Sequence, residues 1–489
     1  MTGWLPRLNQ EARLRQATDR LGRNPDDVAL RFERASLLRA LGAFEAAKQE
    51  YLDVARRMPG HLGALNDLGT MLCEAGFLSA ARVAYAEAIR HHPDDPVARV
   101  NLANLLLAAG DPAAARAHYE TALGVDPDHA HAHRGMAHLL AQTGDHVGAD
   151  RHRDQAFRGR FMTTMPYRGA QEPLPILLLV SALDGNIPTR QFLDESVFLT
   201  SVLIAEYYET NCLLPPHRLI FNSVGDADLC GEALRMAAAL AERSSLPVIN
   251  HPATVRATGR LANAERLGRL PDVIAPRVVS LPRPALLAPD AASLLARRGL
   301  TFPLLVRSPG FHTGRHFVRV DTAADLPAAV GPLPGDDLWA MQFIDTRGRD
   351  GKTRKYRVMI VDGTLYPLHL AVSDHWKVHY FTADMADNAQ HRAEDAAFLN
   401  DMAGVLGQRA MRGLTRIRDA LGLDYAGVDF ALGPAGEVVL FEANATMTVN
   451  PPPSETKWEY RRAPVERIFA AVRAMLLARG ASKFAAVAA

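Results

Sequence analysis

The chain has 489 residues, enough for two or three domains with hydrophobic cores of their own. Its 55 basic and 54 acidic residues nearly cancel, so the composition gives no electrostatic argument for a nucleic-acid partner. The N-terminal stretch has no apolar core of signal-peptide length, and the longest apolar run, near residues 175–183, is too short to span a bilayer. Cys73, Cys212 and Cys230 are too scattered for a disulfide framework. We therefore expect a cytoplasmic protein with no nucleic-acid and no membrane partner.

Five residue classes recur every 34 residues between residue 25 and about residue 160. Small residues let paired helices approach, glycine turns the chain between them, tyrosine fills the gap between repeats, and proline ends the second helix. The recurring positions are Pro25, Pro59, Pro93 and Pro127; Gly42, Gly76, Gly110 and Gly144; Tyr51, Tyr85 and Tyr119; Ala47, Ala81, Ala115 and Ala149; and Ala35, Gly69, Ala103 and Ala137.

This pattern resembles the tetratricopeptide repeat, with three regular copies and a degenerate fourth. In the fourth copy Arg153 replaces the tyrosine and Phe161 replaces the proline. Such repeats stack into an all-α solenoid with a concave groove, and we assign residues 1–160 to one. The resemblance implies that the groove recruits a peptide or protein partner. A spacer or a homodimer surface is the alternative, and the residues leave both open.

Residues 161–173 break the helical periodicity with proline and glycine, which predicts a linker. Residues 174–255 then alternate apolar runs with helical stretches near 192–208 and 229–243, which predicts a small, largely parallel sheet. Asn222, Asp226 and Asn250 are among the polar residues at the carboxyl ends of its strands. They are either substrate contacts or ordinary turn residues.

Residues 302–320 predict a strand, a glycine-containing loop and a second strand. Arg307 ends the first strand and can reach phosphate oxygens. Gly310 and Gly314 allow the loop to approach a polyphosphate through its backbone N–H groups, although a plain hairpin would show the same pattern.

The hairpin over residues 353–373 turns at Asp362 and Gly363, and it places Lys355 and Arg357 on one face of its first strand. Residues 375–381 predict a further strand, on which Lys377 and His379 hold alternate positions that could face a substrate.

Residues 424–450 predict a hairpin that brings three oxygen ligands together. Asp429 lies in one apolar run, Glu442 and Asn444 share a face of the next, and a GPAG turn joins the two runs. Two carboxylates and an amide oxygen suit magnesium held between the protein and nucleotide phosphates. The alternative is that one acid caps a turn while the others are solvated.

Asp-Phe followed by Phe-Glu-Ala-Asn resembles the metal-binding end of the ATP-grasp superfamily, whose fold clamps ATP between two α+β subdomains. The resemblance implies a multidomain chain, in which a Rossmann-like α/β pre-domain over residues 174–255 follows the solenoid. Lobe 1 then covers residues 256–345, lobe 2 with the metal site covers residues 346–479, and a disordered tail covers residues 480–489.

The resemblance also assigns roles to basic and acidic residues. It implies that Asp429, Glu442 and Asn444 bind Mg²⁺ that bridges the phosphates of ATP, and that Arg357 stabilises the transferred phosphoryl group. Arg260 or Arg256 would contact the nucleotide, with Arg260 preferred. Superfamily members commonly have lysine at the position that corresponds to Arg307.

The strand end at Gln342, Phe343, Ile344 and Asp345 resembles the hinge of the superfamily. There the backbone groups of Phe343 and Ile344 would pair with the adenine edge, and Asp345 would take the ribose hydroxyls. We therefore expect all four residues to take part in cofactor binding.

The family chemistry is ligation: ATP activates a carboxylate as an acyl phosphate, and an amine attacks it to give an amide or peptide bond. The resemblance thus implies a carboxylate–amine ligase with Arg357 and Lys377 as catalytic residues, ATP and Mg²⁺ as cofactors, and carboxylate and amine substrates. The repeats would recruit a peptide, protein or carrier-bound substrate. The alternatives are a nucleotide-sensing repeat scaffold without catalysis and an ATP-grasp kinase.

Overall fold

The computed structural model describes residues 5–311, 314–378 and 383–481. Its contacts divide the chain into two compact units. The first, which we call the repeat unit, is Met1–Ile176 with Asp194–Pro215. The second, which we call the α/β unit, is Leu177–Leu193 with Pro216–Ala489. His379 and residues 482–489 of the expected tail lie outside the described residues.

The repeat unit contains a solenoid in which a first helix is followed by four helix pairs. The helices are α1 (Leu5–Arg23), α2 (Val28–Ala40), α3 (Phe44–Arg57), α4 (Leu62–Glu74), α5 (Leu78–His91), α6 (Pro96–Ala108), α7 (Pro112–Val125), α8 (Ala130–Gln142) and α9 (His146–Phe157). The predicted all-α solenoid is confirmed.

Each recurring residue class has the expected structural role. The turn glycines have φ between +82° and +88°, a region that residues with a Cβ rarely adopt. The recurring tyrosines are buried, and the Tyr119 side chain is fully buried with its hydroxyl 2.6 Å from Oδ1 of Asn104. The 34-residue period of the sequence therefore corresponds to a continuous core between successive helix pairs.

The structure corrects two predictions that follow the solenoid. Residues 161–173 belong to the repeat unit and contain strand β1 (Met162–Thr164), so the predicted linker is wrong. The helix predicted near residues 192–208 is also wrong: this stretch contains strand β3 (Phe198–Ile204), antiparallel to β1, and a 3-10 helix at Ala205–Tyr207. The sequence FLTSVLI is rich in β-branched and large apolar residues, which favour a strand.

Strand β2 (Leu174–Val180) crosses the division between the units. In the α/β unit, β4 (Leu219–Asn222) is parallel to β5 (Val248–Ile249), and α10 (Gly231–Glu242) connects them as predicted. Asn222 and Asn250 are fully buried. Asn250 exchanges two 2.8 Å hydrogen bonds with the backbone of Tyr425, so it holds loops together and does not face a substrate.

A four-stranded antiparallel sheet in the order β7-β10-β8-β9 follows. Its core contains Val306, Leu338 and Ala340. The elements of this part are α11 (Pro252–Arg256), α12 (Arg260–Leu267), β6 (Val273–Ile274), β7 (Val278–Pro282), α13 (Arg283–Leu287), α14 (Ala291–Arg297), β8 (Leu304–Arg307), β9 (Phe317–Val320), α15 (Leu326–Val330) and β10 (Asp337–Gln342).

A second sheet has five strands in the order β12-β11-β13-β14-β6, of which only β6 is parallel to its neighbour. The Asp362-Gly363 turn joins β11 and β12 as predicted. The elements are β11 (Thr353–Val361), β12 (Thr364–Ser373), α16 (Ala389–Asn400), α17 (Met402–Leu421), β13 (Tyr425–Leu432), β14 (Val438–Asn444), a 3-10 helix (Thr456–Arg461) and α18 (Arg462–Ala481).

The chain after the repeats is therefore a mixed α/β region, which contains these two sheets as well as the β1–β3 and β4–β5 strand pairs. The strand predicted over residues 375–381 is absent from the described part of that stretch, since residues 374–377 form bends. Among the helices of the described residues, none combines the length and hydropathy needed to cross a bilayer.

Candidate functional site

The β13–β14 hairpin brings the three predicted oxygen ligands to one face. Asp429 lies directly opposite Glu442, and Gly427 lies opposite Asn444. Directly opposite residues of an antiparallel pair share a face, as do residues two apart on one strand. The Nδ2 atom of Asn444 donates to Oε1 of Glu442 at 2.8 Å. The predicted juxtaposition is present in the structure.

Asp429 is 1% exposed and is held between two cations of strand β11. Arg357 donates to both of its carboxylate oxygens at 2.5 and 2.8 Å, and Nζ of Lys355 lies 2.6 Å from Oδ2. Burial would raise the pKa of the Asp429 carboxyl, but the charges and hydrogen bonds of Arg357 and Lys355 outweigh it and hold the pKa well below its usual range. The carboxylate is therefore ionised.

Glu442 has its own cationic partner, the guanidinium of Arg260 at the start of α12. Burial would raise the pKa of Glu442, yet Arg260 leads the groups that keep it below the usual value. The backbone N–H of Arg260 donates to Oδ2 of Asp228 at 3.0 Å, which orients the start of the helix. Arg256 ends α11 and is exposed. Of the two predicted arginines, the structure brings Arg260 to the site.

Arg307 ends β8, as predicted, and only 8% of it is exposed. Its guanidinium donates to the carbonyl oxygen of Phe311, while its Nε atom is buried without a hydrogen-bond partner. Burial and the nearby charge of Arg260 lower the pKa of Arg307 to about 10. Gly310 and Gly314 have φ of +78° and +72°, so the loop after Arg307 does use glycine conformations.

A cleft beside these charges is lined by both apolar and polar residues. Its apolar lining includes Val278, Met341 and Leu440. Its polar lining includes Asp226, Asp228, Arg260, Asn263, Glu442 and Asn444. A cleft with this mixed lining can hold a ligand that carries both an apolar ring and an anionic group.

The predicted hinge residues lie next to this cleft, not in its lining. The cleft reaches Met341, and among the described residues Gln342, Phe343, Ile344 and Asp345 are absent from its walls. Asp345 is paired with Arg347 at 2.5 Å. The Phe343 ring lies 4.4 Å from the guanidinium of Arg319.

Lys377 is not at the Asp429 cluster. Its ammonium donates to the carbonyl oxygens of Gly314 and Phe317, at 3.2 and 3.3 Å. The neighbouring Trp376 ring packs edge-on against Phe317 and Phe343. Lys377 therefore binds the end of the β8–β9 loop and the start of β9.

Sequence reasoning noted Lys355 without giving it a role and missed Asp228, Asn263 and His369. The role of Lys355 beside Asp429 could have been predicted, because Lys355 and Arg357 are two residues apart on β11 and share a face. His369 is buried directly opposite Arg357 on β12, and burial and the charges of Arg357 and Arg461 lower its pKa. No local pattern marks it, since its position follows from strand pairing.

The donor set agrees in kind with a magnesium site, because carboxylate and amide oxygens are the ligands that this ion prefers. In the described ranges no three histidine, cysteine, aspartate or glutamate side chains are grouped so that they could hold a metal ion. Any metal at the hairpin would therefore rely on Asp429 and Glu442, with Asn444 or phosphate oxygens completing its shell.

Two tetratricopeptide repeat families match the repeat unit, one at residues 72–117 and the other at residues 100–149. Residues 72–149 are tetratricopeptide repeats. The comparison with curated proteins gave no significant match.

Solved structures resemble only part of the chain. A MamA fragment from Desulfovibrio magneticus is 19% identical, with 31% of this chain and 86% of the fragment covered and a TM-score of 0.28. PilF of Pseudomonas aeruginosa is 22% identical, with coverages of 32% and 70% and a TM-score of 0.29. A thermophilic TPR protein of Thermus thermophilus is 20% identical, with coverages of 30% and 81% and a TM-score of 0.27. Scores this low carry no information about function.

Proposed function

We propose that the α/β unit binds magnesium-ATP in the manner of the ATP-grasp superfamily and uses it to join a carboxylate to an amine, while the repeats recruit the peptide, protein or carrier that bears a substrate. One observation supports this most strongly. Four cationic side chains from three separate parts of the unit, Arg260, Arg307, Lys355 and Arg357, surround Asp429 and Glu442 beside a half-apolar cleft.

The crowding of cations favours an anionic ligand. Arg307 is nearly buried, and the charge of Arg260 contributes to lowering its pKa to about 10. Each such guanidinium is stabilised if an anion enters, because attraction between opposite charges strengthens as water is excluded. A polyphosphate is the anion that can contact Arg307, Arg260 and the glycine loop together.

The donor set supports a metal next to that anion. Asp429 and Glu442 would hold Mg²⁺ with Asn444, and this ion would supply neutralisation of charge on the bridging phosphate oxygens. Lys355 and Arg357 now neutralise Asp429, so their ammonium and guanidinium groups are available to phosphate oxygens once a cation replaces them. Arg357 thereby stabilises the charge that develops on the transferred phosphoryl group.

The chemistry needs no nucleophilic side chain. In ATP-grasp ligation the substrate carboxylate attacks the γ-phosphoryl group, ADP leaves, and an amine displaces phosphate from the acyl phosphate. This chain's residues would bind, orient and neutralise, which is consistent with a site made of arginines, one lysine and two carboxylates. The order of these residues along the chain is the order that the superfamily uses.

The experiment is an assay of ADP and phosphate release by the full chain with Mg-ATP and candidate carboxylate and amine substrates. We expect substrate-dependent release in the wild type and a loss of at least about 100-fold in Glu442→Gln, because Glu442 would hold the Mg²⁺ that neutralises the phosphates and electrostatic groups of this kind contribute on this order. Glu459→Gln, which removes an exposed carboxylate paired with Arg462, is the matched control and should retain activity. Equal activity in all three proteins would refute the proposed site.

A nucleotide-sensing repeat scaffold without catalysis is the second candidate, and the confinement of the family matches to residues 72–149 favours it. Its signature is ATP binding without turnover, together with partner binding that persists in Glu442→Gln. An ATP-grasp kinase would instead leave the phosphate on the product, which mass spectrometry separates from ligation.

A further inference from the structure

The first repeat contains a buried arginine that is paired with acids. Arg31 of α2 donates to the carbonyl oxygen of Pro25 at 2.8 Å. It also forms ion pairs with Glu50 at 3.1 Å and Asp53 at 3.4 Å, both on α3. The guanidinium thus ties the start of α2 to α3 and faces two carboxylates, which also pair with Arg34 and Arg56.

Three repeats further along, the same positions have lost both carboxylates. His133 takes the place of Arg31, and its Nε2 atom lies 2.8 Å from the carbonyl oxygen of Pro127. His152 takes the place of Glu50, and Gln155 takes the place of Asp53. The last repeat keeps the link to the proline carbonyl but has no acid to balance a positive charge there.

The two histidines contact each other through Nδ1 atoms that are 2.8 Å apart. The Nε2 atom of His133 must carry a hydrogen, because its partner is a carbonyl oxygen, so Nδ1 of neutral His133 accepts. His152 then donates its Nδ1–H and has a bare Nε2. One proton added at this Nε2 preserves both of these hydrogen bonds and creates a second N–H donor on the His152 ring. A second proton would break the pair.

The two histidines line an open pocket in which arginines outnumber aspartates. Its other charged lining residues are Asp128, Arg151, Asp154, Arg158 and Arg160. Asp154 is bound by the hydroxyl of Tyr207 and by Arg158, each at 3.0 Å. Asp128 is the remaining acid, and Arg160 donates to its backbone carbonyl oxygen at 2.9 Å.

The groups that face His152 oppose its protonation while the pocket holds no anion. Burial is the largest cause of its lowered pKa, followed by the charges of His133 and Arg151. Asp145, which caps α9 through the N–H of Gly148, acts in the opposite direction. An anion in the pocket would reverse this balance, because it stabilises the protonated ring.

We propose that the pocket between α8 and α9 binds a small oxyanion, such as a phosphate or sulfate group, together with one proton on the His133–His152 pair. Arg151 and Arg160 contribute charge, and the Nε2–H of His152 contributes a hydrogen bond. The last repeat is thereby a pH-dependent anion site, whereas the first repeat is closed by its own acids. This inference does not depend on the proposed ligase activity.

The test is calorimetric titration of the full chain with inorganic sulfate, whose charge is constant between about pH 5.5 and about pH 8, the range in which histidine titrates. We expect saturable binding that is tighter at the lower pH by roughly tenfold, the effect of one linked proton over about one pKa unit. Sulfate could also bind at the cationic cluster of the α/β unit. Arg307→Gln weakens binding there and should leave the pH-dependent sulfate binding at the histidine pocket unchanged.

His152→Glu restores the acid that the first repeat has at this position and should abolish that pH-dependent binding, and Arg151→Gln, a change of an exposed side chain, should weaken it. Arg116→Gln on α7 removes another exposed arginine and should have no effect. Helical circular dichroism shows that each variant is folded. Absence of saturable binding in the wild type, or pH-dependent binding that His152→Glu retains, would overturn the proposal.

A phosphoserine peptide identifies the source of the anion. Binding no tighter than that of free sulfate supports a dissolved ion as the ligand. Tighter binding that still depends on His152 supports a phosphate group carried by a partner.

Discussion

The repeat unit and the α/β unit differ in how far apart in the sequence their contacting residues lie. In the repeat unit the residues that form the core recur every 34 residues, so each helix pair shows the same sequence pattern as the pair before it. In the α/β unit the cluster around Asp429 joins residues separated by 72 positions, and the Glu442 ion pair joins residues separated by 182. A local sequence pattern therefore predicts the helix pairs of the repeat unit. The Asp429 cluster, in contrast, forms only when strands that are distant in the sequence pair.

The energetic consequence differs as well. The solenoid core is apolar and distributed over many small contacts, whereas the α/β site concentrates charge in a nearly water-free place. Substitutions should therefore have graded effects in the repeats and large effects at a few positions of the α/β unit.

The largest expected effect is that of Asp429→Asn. The change removes the buried negative charge that pairs with both Lys355 and Arg357, which should lower the free energy of unfolding of the α/β unit by about 3–5 kcal/mol. Urea denaturation followed by tryptophan fluorescence measures it, because Trp339, Trp376 and Trp458 lie in this unit.

The control for that change is Asp350→Asn, which removes a more exposed carboxylate paired with Arg354. It should cost under about 1 kcal/mol. Similar losses in both variants would show that the α/β site does not concentrate energy as described.

A smaller effect is expected from Gly135→Ala in the solenoid. A Cβ at Gly135 would overlap the buried ring of Tyr119, and overpacking of this kind costs about 1–3 kcal/mol. Gly124→Ala on α7 meets nothing within 4 Å and should stabilise the helix by up to about 1 kcal/mol. Urea denaturation followed by helical circular dichroism compares them, and an equal response of the two positions would contradict the close packing.

The pH dependence of stability gives a third contrast. Since Asp429 and Glu442 have lowered pKa values in the folded state, their contribution is present above the ordinary carboxyl pKa of about 4 and is lost as the pH falls below it. Glu442→Gln should reduce the slope of unfolding free energy against pH in that acid range by up to about 1.4 kcal/mol per pH unit. Parallel curves for wild type and variant would contradict the lowered pKa of Glu442.

The smallest effect is expected from Lys377→Ala. Lys377 binds two loop carbonyl oxygens and no group of the Asp429 cluster, so removal should weaken ATP binding by less than about tenfold and leave kcat nearly unchanged. Steady-state kinetics separates KM from kcat. A loss of kcat of about 100-fold or more would restore the catalytic role that the sequence predicted.

Much of the fold was predictable from local signals. The 34-residue period indicated the helix pairs, and Asp362-Gly363 and GPAG indicated the turns of the two hairpins. The helix predicted near residues 192–208 failed because the pairing of β3 with β1 decides the conformation of FLTSVLI, and a distant strand cannot be read from that stretch.

The site was predictable to the extent that it lies within one hairpin. Asp429, Glu442 and Asn444 were identified because a single turn brings them together. His369 and Asp228 were missed, and the contacts of Lys377 were not foreseen, because their neighbours come from other strands and loops.

The most direct test of the central claim is calorimetric titration of the full chain with a non-hydrolysable ATP analogue and Mg²⁺, using wild type and Arg307→Gln. We predict one saturable site in the wild type and an affinity at least about tenfold lower in the variant, because a charge-assisted hydrogen bond to phosphate contributes about 1.5–3 kcal/mol. Saturable binding that is equal in both proteins, or no binding in the folded wild type, would contradict the assignment of the α/β unit as an ATP site.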